Sequence, residues 1–208
     1  RLPFVGHSGK ELDRILHEAG LDPTRVLFTN CIHAKPPGND LTHYLSEGKP
    51  RTLEGTWNGA KLKPELVAGI RQLHALIHHV KPKVVVAAGN FALFALTPHA
   101  ELKTTKAFYL PTGIAKWRGS QTYSRPLHPT EPSVYPVLPI LHPTSILREW
   151  GGRAPTVNDL RRAARFLAGE TSWNEPAGFR FHKPAWHQLE NFLSRILRQL
   201  AAGPVDLS

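Results

Sequence analysis

The chain has 208 residues, of which 41% are hydrophobic and 20% charged, the balance of a folded domain and not of a long disordered segment. Lys+Arg 26 against Asp+Glu 16 leaves a formal charge of +10, which favours a polyanionic partner such as nucleic acid, because phosphates neutralised by basic side chains release counterions. A single cysteine, Cys31, excludes an internal disulfide and a four-thiolate metal site built by this chain alone.

No apolar run is long enough to span a bilayer and no secretory leader opens the chain, so a reducing, cytoplasmic location is expected. The chain starts at Arg1 and contains no Met. It ends at Gly203-Pro204-Val205-Asp206-Leu207-Ser208, a turn followed by the start of a strand. Both ends read as cut, which suggests a domain of a longer protein.

Ser8-Gly9-Lys10-Glu11 has the spacing of a capping box. It predicts a helix that buries Leu12, Ile15, Leu16 and Ala19 and stops at Gly20. Val26-Leu27-Phe28 reads as a short buried strand that delivers Thr29-Asn30 to its carboxyl end, followed by a polar segment over about residues 31 to 62. Pro64 suits the first turn of the next helix, whose apolar face runs through Leu66, Ile70, Leu73, Leu76 and Ile77 to Val80. Val84-Val85-Val86-Ala87-Ala88, bounded by Pro82 and Gly89, is the clearest strand, with a short helix from Phe91 to Leu96 behind it.

Residues 98 to 135 read as loop-rich. Val137-Leu138-Pro139-Ile140-Leu141 predicts a further strand, in an edge or irregular position because of Pro139, and it delivers His142-Pro143-Thr144-Ser145. Val157 to Leu167 predicts a basic amphipathic helix, 170 to 185 a linker, and Leu189 to Leu200 a final helix. Short apolar strands alternating with helices imply a three-layer α/β/α fold around a short parallel sheet, in which ligands bind beyond the carboxyl ends of strands. Asn30 and His142 both fall at such ends.

Several chemistries lack their motif. There is no G-x-x-x-x-G-K-S/T loop, no G-x-G-x-x-G turn and no G-x-S-x-G elbow, which argues against nucleotide sites and a serine nucleophile of that type. His78-His79 has no partner at metal-ligand spacing, so no metal site is expected. Cys31 is either a nucleophile beside a strand end or a buried structural thiol. What remains is an amide at one strand end and an imidazole at another. The Asn30 carboxamide offers a donor and an acceptor side by side, which suits a pyrimidine edge. His142 can donate to a carbonyl oxygen where charge develops, and an aromatic such as Phe4 can stack on a flat base. Each also has a plain structural alternative: Asn30 capping a turn, His142 preceding a loop proline, Phe4 in the core.

Together these segments resemble the uracil-DNA glycosylase superfamily, especially its iron-sulfur type, over residues 1 to about 168. Pro3-Phe4-Val5-Gly6-His7-Ser8-Gly9-Lys10-Glu11-Leu12-Asp13 is similar to that family's P-F-V-G-x-S/A-G-x-x-L-D segment. Val26 through Asn39 resembles its strand plus T-N-x-x-K-C-R-P-P-G-N, and Lys81 through Gly89 its R-P-K-V-I-V-A-L-G. Lys116-Trp117-Arg118-Gly119 falls at its K-x-R-G turn and His142-Pro143-Thr144-Ser145 at its H-P-S/A motif. The order of the segments carries the likeness.

The resemblance implies that Phe4 stacks on an extruded uracil, that Asn30 reads its edge and excludes cytosine, and that His142 bonds uracil O2 as the glycosidic bond breaks. It places Lys116, Arg118, Ser145, Ile146, Leu147 and Arg148 at the DNA, with Ile146 or Leu147 as wedge. The partner implied is uracil-containing DNA, single- or double-stranded, and the target base must leave the stack to react. The family's water-activating G-E-x-P-G lies upstream of the P-F-V-G segment, before this chain begins.

The cluster cysteines are also replaced: Ala34 and Ile70 occupy their positions, so no iron-sulfur cluster and no other cofactor is expected. A related subfamily that links to DNA through a His after K-x-R-G has no counterpart in Ser120-Gln121-Thr122-Tyr123. Arg148 to Arg162 resembles glycosylase-like domains fused to phage DNA polymerases, and the last residues the lead-in to a proofreading exonuclease. That implies a polymerase or exonuclease domain in cis, with a domain over 1–168 and a linker, helix and possible domain start over 169–208. The readings that follow are a uracil-excising enzyme, a non-catalytic uracil-sensing or DNA-binding module, or the same fold turned to a modified pyrimidine.

Overall fold

A computed structural model of the chain describes residues 3–4, 6–32, 36–46, 56–57, 60–104, 109–127, 133–173 and 194. The chain divides into a compact unit, Arg1–Pro176, and a second, Ala177–Ser208. The expected final helix, most of the linker, Ala34 and the last residues lie outside the described ones, with Ser194 helical. Among the described residues no helix is long and apolar enough to cross a membrane.

Helix α1 (His7–Glu18) buries Leu12, Ile15 and Leu16 on one face. Its N-cap is Gly6, with no side-chain cap, so the expected capping box does not form. Glu11 is buried instead beneath Arg153, whose Nε donates to its carboxylate at 2.7 Å. That charge-assisted bond is stronger than a local cap to a backbone amide. The helix stops as expected: Gly20 takes φ +81, and the Leu21 amide closes back onto the Leu16 carbonyl at 2.9 Å.

Val26–Phe28 forms no strand. Leu27 is 60% exposed, so alternate side chains face outward and only Val26 and Phe28 turn inward. Three apolar residues between a 3-10 turn (Pro23–Arg25) and Asn30 satisfy the hydrophobic count of a buried strand without entering a ladder.

A two-stranded antiparallel pair, β1 (Thr56–Trp57) and β2 (Ala60–Lys61), precedes α2 (Pro64–Val80). Pro64 opens α2 and Lys81, at φ 51, closes it. Then come β3 (Val85–Ala88) and α3 (Asn90–Leu96). The segment read as loop holds an antiparallel hairpin, β4 (Glu101–Thr104) and β5 (Tyr109–Thr112), the short helix α4 (Ile114–Trp117) and β6 (Thr122–Tyr123). The first hairpin strand is mostly exposed, so no hydrophobic alternation marks it in the sequence. The chain continues through β7 (Pro136–Ile140), α5 (Pro143–Arg148) and α6 (Arg153–Leu167). Helix α6 starts ahead of the expected Val157, because its first turn tolerates Pro155, which has no amide to satisfy there.

The main sheet has the order β3-β7-β6, with β3 parallel and β6 antiparallel to β7. Pro139 therefore sits in the middle strand and not at an edge. It is tolerated because β6 pairs only with Val137 and Pro136. Beyond that, the missing Pro139 amide faces the end of the ladder, and its carbonyl accepts from Gly119 N at 2.8 Å.

Side chains alternate across β7. Val137 joins Leu66, Ile70, Leu73, Ile77 and Phe94 of α2 and α3 on one face. Leu138 and Ile140 join Leu12, Ile15, Ile146, Val157 and Leu160 of α1, α5 and α6 on the other. This gives the three-layer α/β/α arrangement. Each fully buried Leu or Ile contributes about 1.5–3 kcal/mol. Trp173 extends the second layer, donating through Nε1 to the Thr122 carbonyl at 2.9 Å and packing edge-on to Phe166.

Candidate functional site

The parallel pair β3 and β7 ends at one point, and that point is built around a glycine. The Gly89 amide donates to the Ile140 carbonyl at 3.0 Å, locking the two strand ends together. Gly89 has φ +89, and a Cβ on it would lie 3.1 Å from the Cβ of His142. The imidazole can lie this close to the backbone only because no side chain intervenes.

His142 caps α5. Its Nδ1 accepts the Thr144 amide at 3.1 Å, and Pro143 occupies the first helical position, where no amide is needed. With Nδ1 an acceptor, the proton of the neutral ring resides on Nε2. Burial holds the imidazole below its ordinary value, favouring the neutral ring. His142 is therefore a one-proton donor, aimed by its own cap.

Phe4 comes to the same place from the N-terminal side. Its ring centroid lies 5.8 Å from that of His142 at 32°, and 5.9 Å from that of Phe28, edge-on. The Phe4 backbone is left-handed, φ 56, a strained conformation for a bulky residue. Gly9 makes room for it: any side chain there would run into the Phe4 carbonyl.

Asn30 is half-buried, and its carboxamide makes no hydrogen bond with the described residues. Its neighbours tie it in place. Phe28 touches Phe4 as above, while the Cys31 thiol donates to the Phe91 carbonyl of α3 at 3.9 Å and the Cys31 carbonyl lies against Gly69 of α2. The Asn30 segment and His142 are thus both fastened to the junction of β3 and α3. Burial pushes the Cys31 thiol up to about 11, so it is a packing group and not a nucleophile. Ile70 is fully buried in the first core layer. An aliphatic core residue and a neutral, hydrogen-bonded thiol do not fit the needs of an iron-sulfur cluster.

The expected DNA contacts divide. Ser145, Leu147 and Arg148 lie exposed on α5, directly after His142. Ile146 is 0% exposed and packs in the core, so it is no wedge; of the two candidates only Leu147, at 43%, reaches solvent. Lys116 and Arg118 are each held by an acid elsewhere in the fold. The Lys116 ammonium pairs with Glu101 of the hairpin at 2.6 Å, both side chains exposed.

Arg118 pairs with Asp159 of α6 at 2.6 Å, and Asp159 is buried. Burial pushes the Asp159 carboxyl up, with Arg118 and Arg162 pulling the other way. Arg162 also donates to the Gly119 carbonyl at 2.5 Å. Arg118 and Arg162 therefore bind the Gly119 turn to α6. Phe28, Gly9 and Gly89 pack against the Phe4 and His142 pair, and the residue patterns gave them no role at the site. A glycine directly after the clearest strand and one inside the segment over residues 3–13 were the available signals.

A search of curated proteins found no match for this chain. The family model of the uracil DNA glycosylase superfamily matches residues 1–168, and the chain therefore belongs to that superfamily.

Proposed function

We propose that the chain extrudes uracil from DNA and hydrolyses its N-glycosidic bond. The observation that carries this reading is the paired placement of the Phe4 and His142 rings, with the His142 Nε2–H left over after its Nδ1 has capped α5. A flat base stacked on Phe4 lies within reach of that donor. As the bond to the sugar breaks, negative charge builds on the uracil and its O2 becomes a stronger acceptor. A neutral imidazole strengthens its bond to that oxygen without giving up its proton, which is stabilisation of the transition state over the ground state. Asn30, whose amide makes no hydrogen bond with the described residues, reads the donor-acceptor edge of uracil and rejects cytosine, which presents the opposite pattern.

Exposed Leu147 fills the gap that the base leaves, and Ser145 and Arg148 meet the backbone beside it. The basic balance of the chain supplies the general attraction to phosphates. Incubation with a single-stranded oligonucleotide carrying one uracil tests the reading. Alkali-labile abasic product supports excision. Tight uracil-dependent binding without product means a uracil-sensing module instead, and indifference to uracil overturns both.

A further inference from the structure

The turn that joins α5 to α6 carries an indole that the base pocket does not use. Trp150 has 60% of its surface exposed, although tryptophan is usually well buried. The ring is held. The Arg153 guanidinium lies 5.3 Å from its centroid, and Arg153 is itself fixed by Glu11 and Glu18 of α1, each at 2.7 Å. The turn is held as well: a Cβ on Gly152 would come within 2.7 Å of Leu141 Cδ1. It therefore sits on the residue immediately before His142. Arg148, exposed on the same stretch, makes no ion pair with the described residues.

A fixed aromatic face in solvent, two residues from an exposed cation and on a turn packed against the residue before His142, has the chemistry of a stacking platform for an unpaired nucleobase. A base inside a duplex already stacks on both faces and gains nothing from an indole. An unpaired base has a free face to offer. We propose that Trp150 stacks on a base flanking the extruded one, with Arg148 on the adjoining phosphate, so that single-stranded DNA is the preferred substrate class. The charge of +10 complements such a strand. The inference rests on the base-pocket reading for where the strand runs, but its test does not depend on excision.

The test measures binding of the full 208-residue chain to a labelled oligothymidylate free of uracil and to a duplex of equal length. Trp150→Ala is expected to weaken single-strand binding about tenfold and duplex binding much less, while Trp150→Phe keeps most of the affinity. Arg148→Ala is expected to reduce the salt slope by about one, a change that loss of a stack does not produce. Wild-type affinity in Trp150→Ala overturns the proposal. So does equal loss on both DNA forms, or a wild-type chain that prefers the duplex or binds no oligothymidylate.

Discussion

The Thr144 amide donates to Nδ1 of His142 at 3.1 Å, and this single bond settles what the imidazole shows to a ligand. The ring is neutral and its only proton points away from the helix it caps. A protonated ring has no acceptor at Nδ1 and loses the cap, and burial depresses the proton affinity of the ring. His142→Ala removes the donor and is expected to lower single-turnover excision about 10²–10³-fold, the usual cost of one oxyanion donor. A loss below threefold in a folded variant rules out that role.

The same depressed affinity makes stability depend on pH. The unfolded chain binds a proton at His142 as the pH falls through the ordinary imidazole value of 6.5, while the folded chain resists until lower pH. Stability is therefore fully present above 6.5 and is lost as the pH falls toward the folded value. Buried His74, whose Nε2 bonds the Ala95 carbonyl at 2.8 Å, shifts the same way and adds to the effect. The urea midpoint is expected to fall between pH 7.5 and 5, and to fall less in His142→Gln, which keeps a neutral cap acceptor. Parallel pH profiles for the two proteins contradict the assignment.

Gly89 is the position where backbone and function meet most closely. Gly89→Ala places a methyl 3.1 Å from His142 Cβ in a left-handed backbone. The expected cost is about 1–3 kcal/mol of stability. Excision is expected to fall further than stability explains, because the imidazole is displaced; urea melts and single-turnover rates on the same variant separate the two.

Much of the scaffold was legible because its signals are local. Pro64 and the apolar repeat to Val80 coincide with α2, and the run before Gly89 with β3. The misread elements depend on partners far along the chain. Glu11 looked like half of a capping box because Arg153, which claims it, is 142 residues away. The pairing of Arg118 with Asp159 was equally invisible, the two being 41 residues apart. Pro139 suggested an edge strand, since nothing nearby says that β6 stops two residues short of it. At the site, residue types named Phe4, Asn30 and His142, but neither the left-handed turn at Phe4 nor the His142 tautomer is written in any local pattern.

The ion pairs around the Gly119 turn make a graded prediction. Asp159→Ala leaves Arg118 without its partner in a largely buried place and is expected to cost about 3 kcal/mol. Lys116→Ala breaks an exposed pair and is expected to cost less than about 1 kcal/mol. Chemical denaturation of both variants checks the ranking, and a reversed order means that the Arg118 pair does not hold the turn.

Adjacent residues on α5 give the sharpest contrast. Ile146 is fully buried, so Ile146→Ala is expected to lose about 2–5 kcal/mol through the cavity it leaves. Leu147 is exposed, so Leu147→Ala is expected to leave the denaturation midpoint within about 0.5 kcal/mol of wild type while slowing excision from a duplex. The slowing is expected to be smaller on a single strand, where no stack has to be held open. If Leu147→Ala excises uracil from a duplex at the wild-type rate, Leu147 is not the wedge.

The proposed role of Asn30 makes a prediction about which base is accepted. Asn30→Asp keeps the size of the side chain but replaces the donating amide with a second acceptor, which complements the amino group of cytosine. The variant is expected to gain measurable excision of cytosine while losing part of its activity on uracil. The measurement is abasic product from matched oligonucleotides carrying one uracil or one cytosine. Unchanged activity on uracil together with none on cytosine would mean that Asn30, although fastened beside Phe28 and α3, does not face the base at all, and the edge would then have to be read by backbone groups of the same segment.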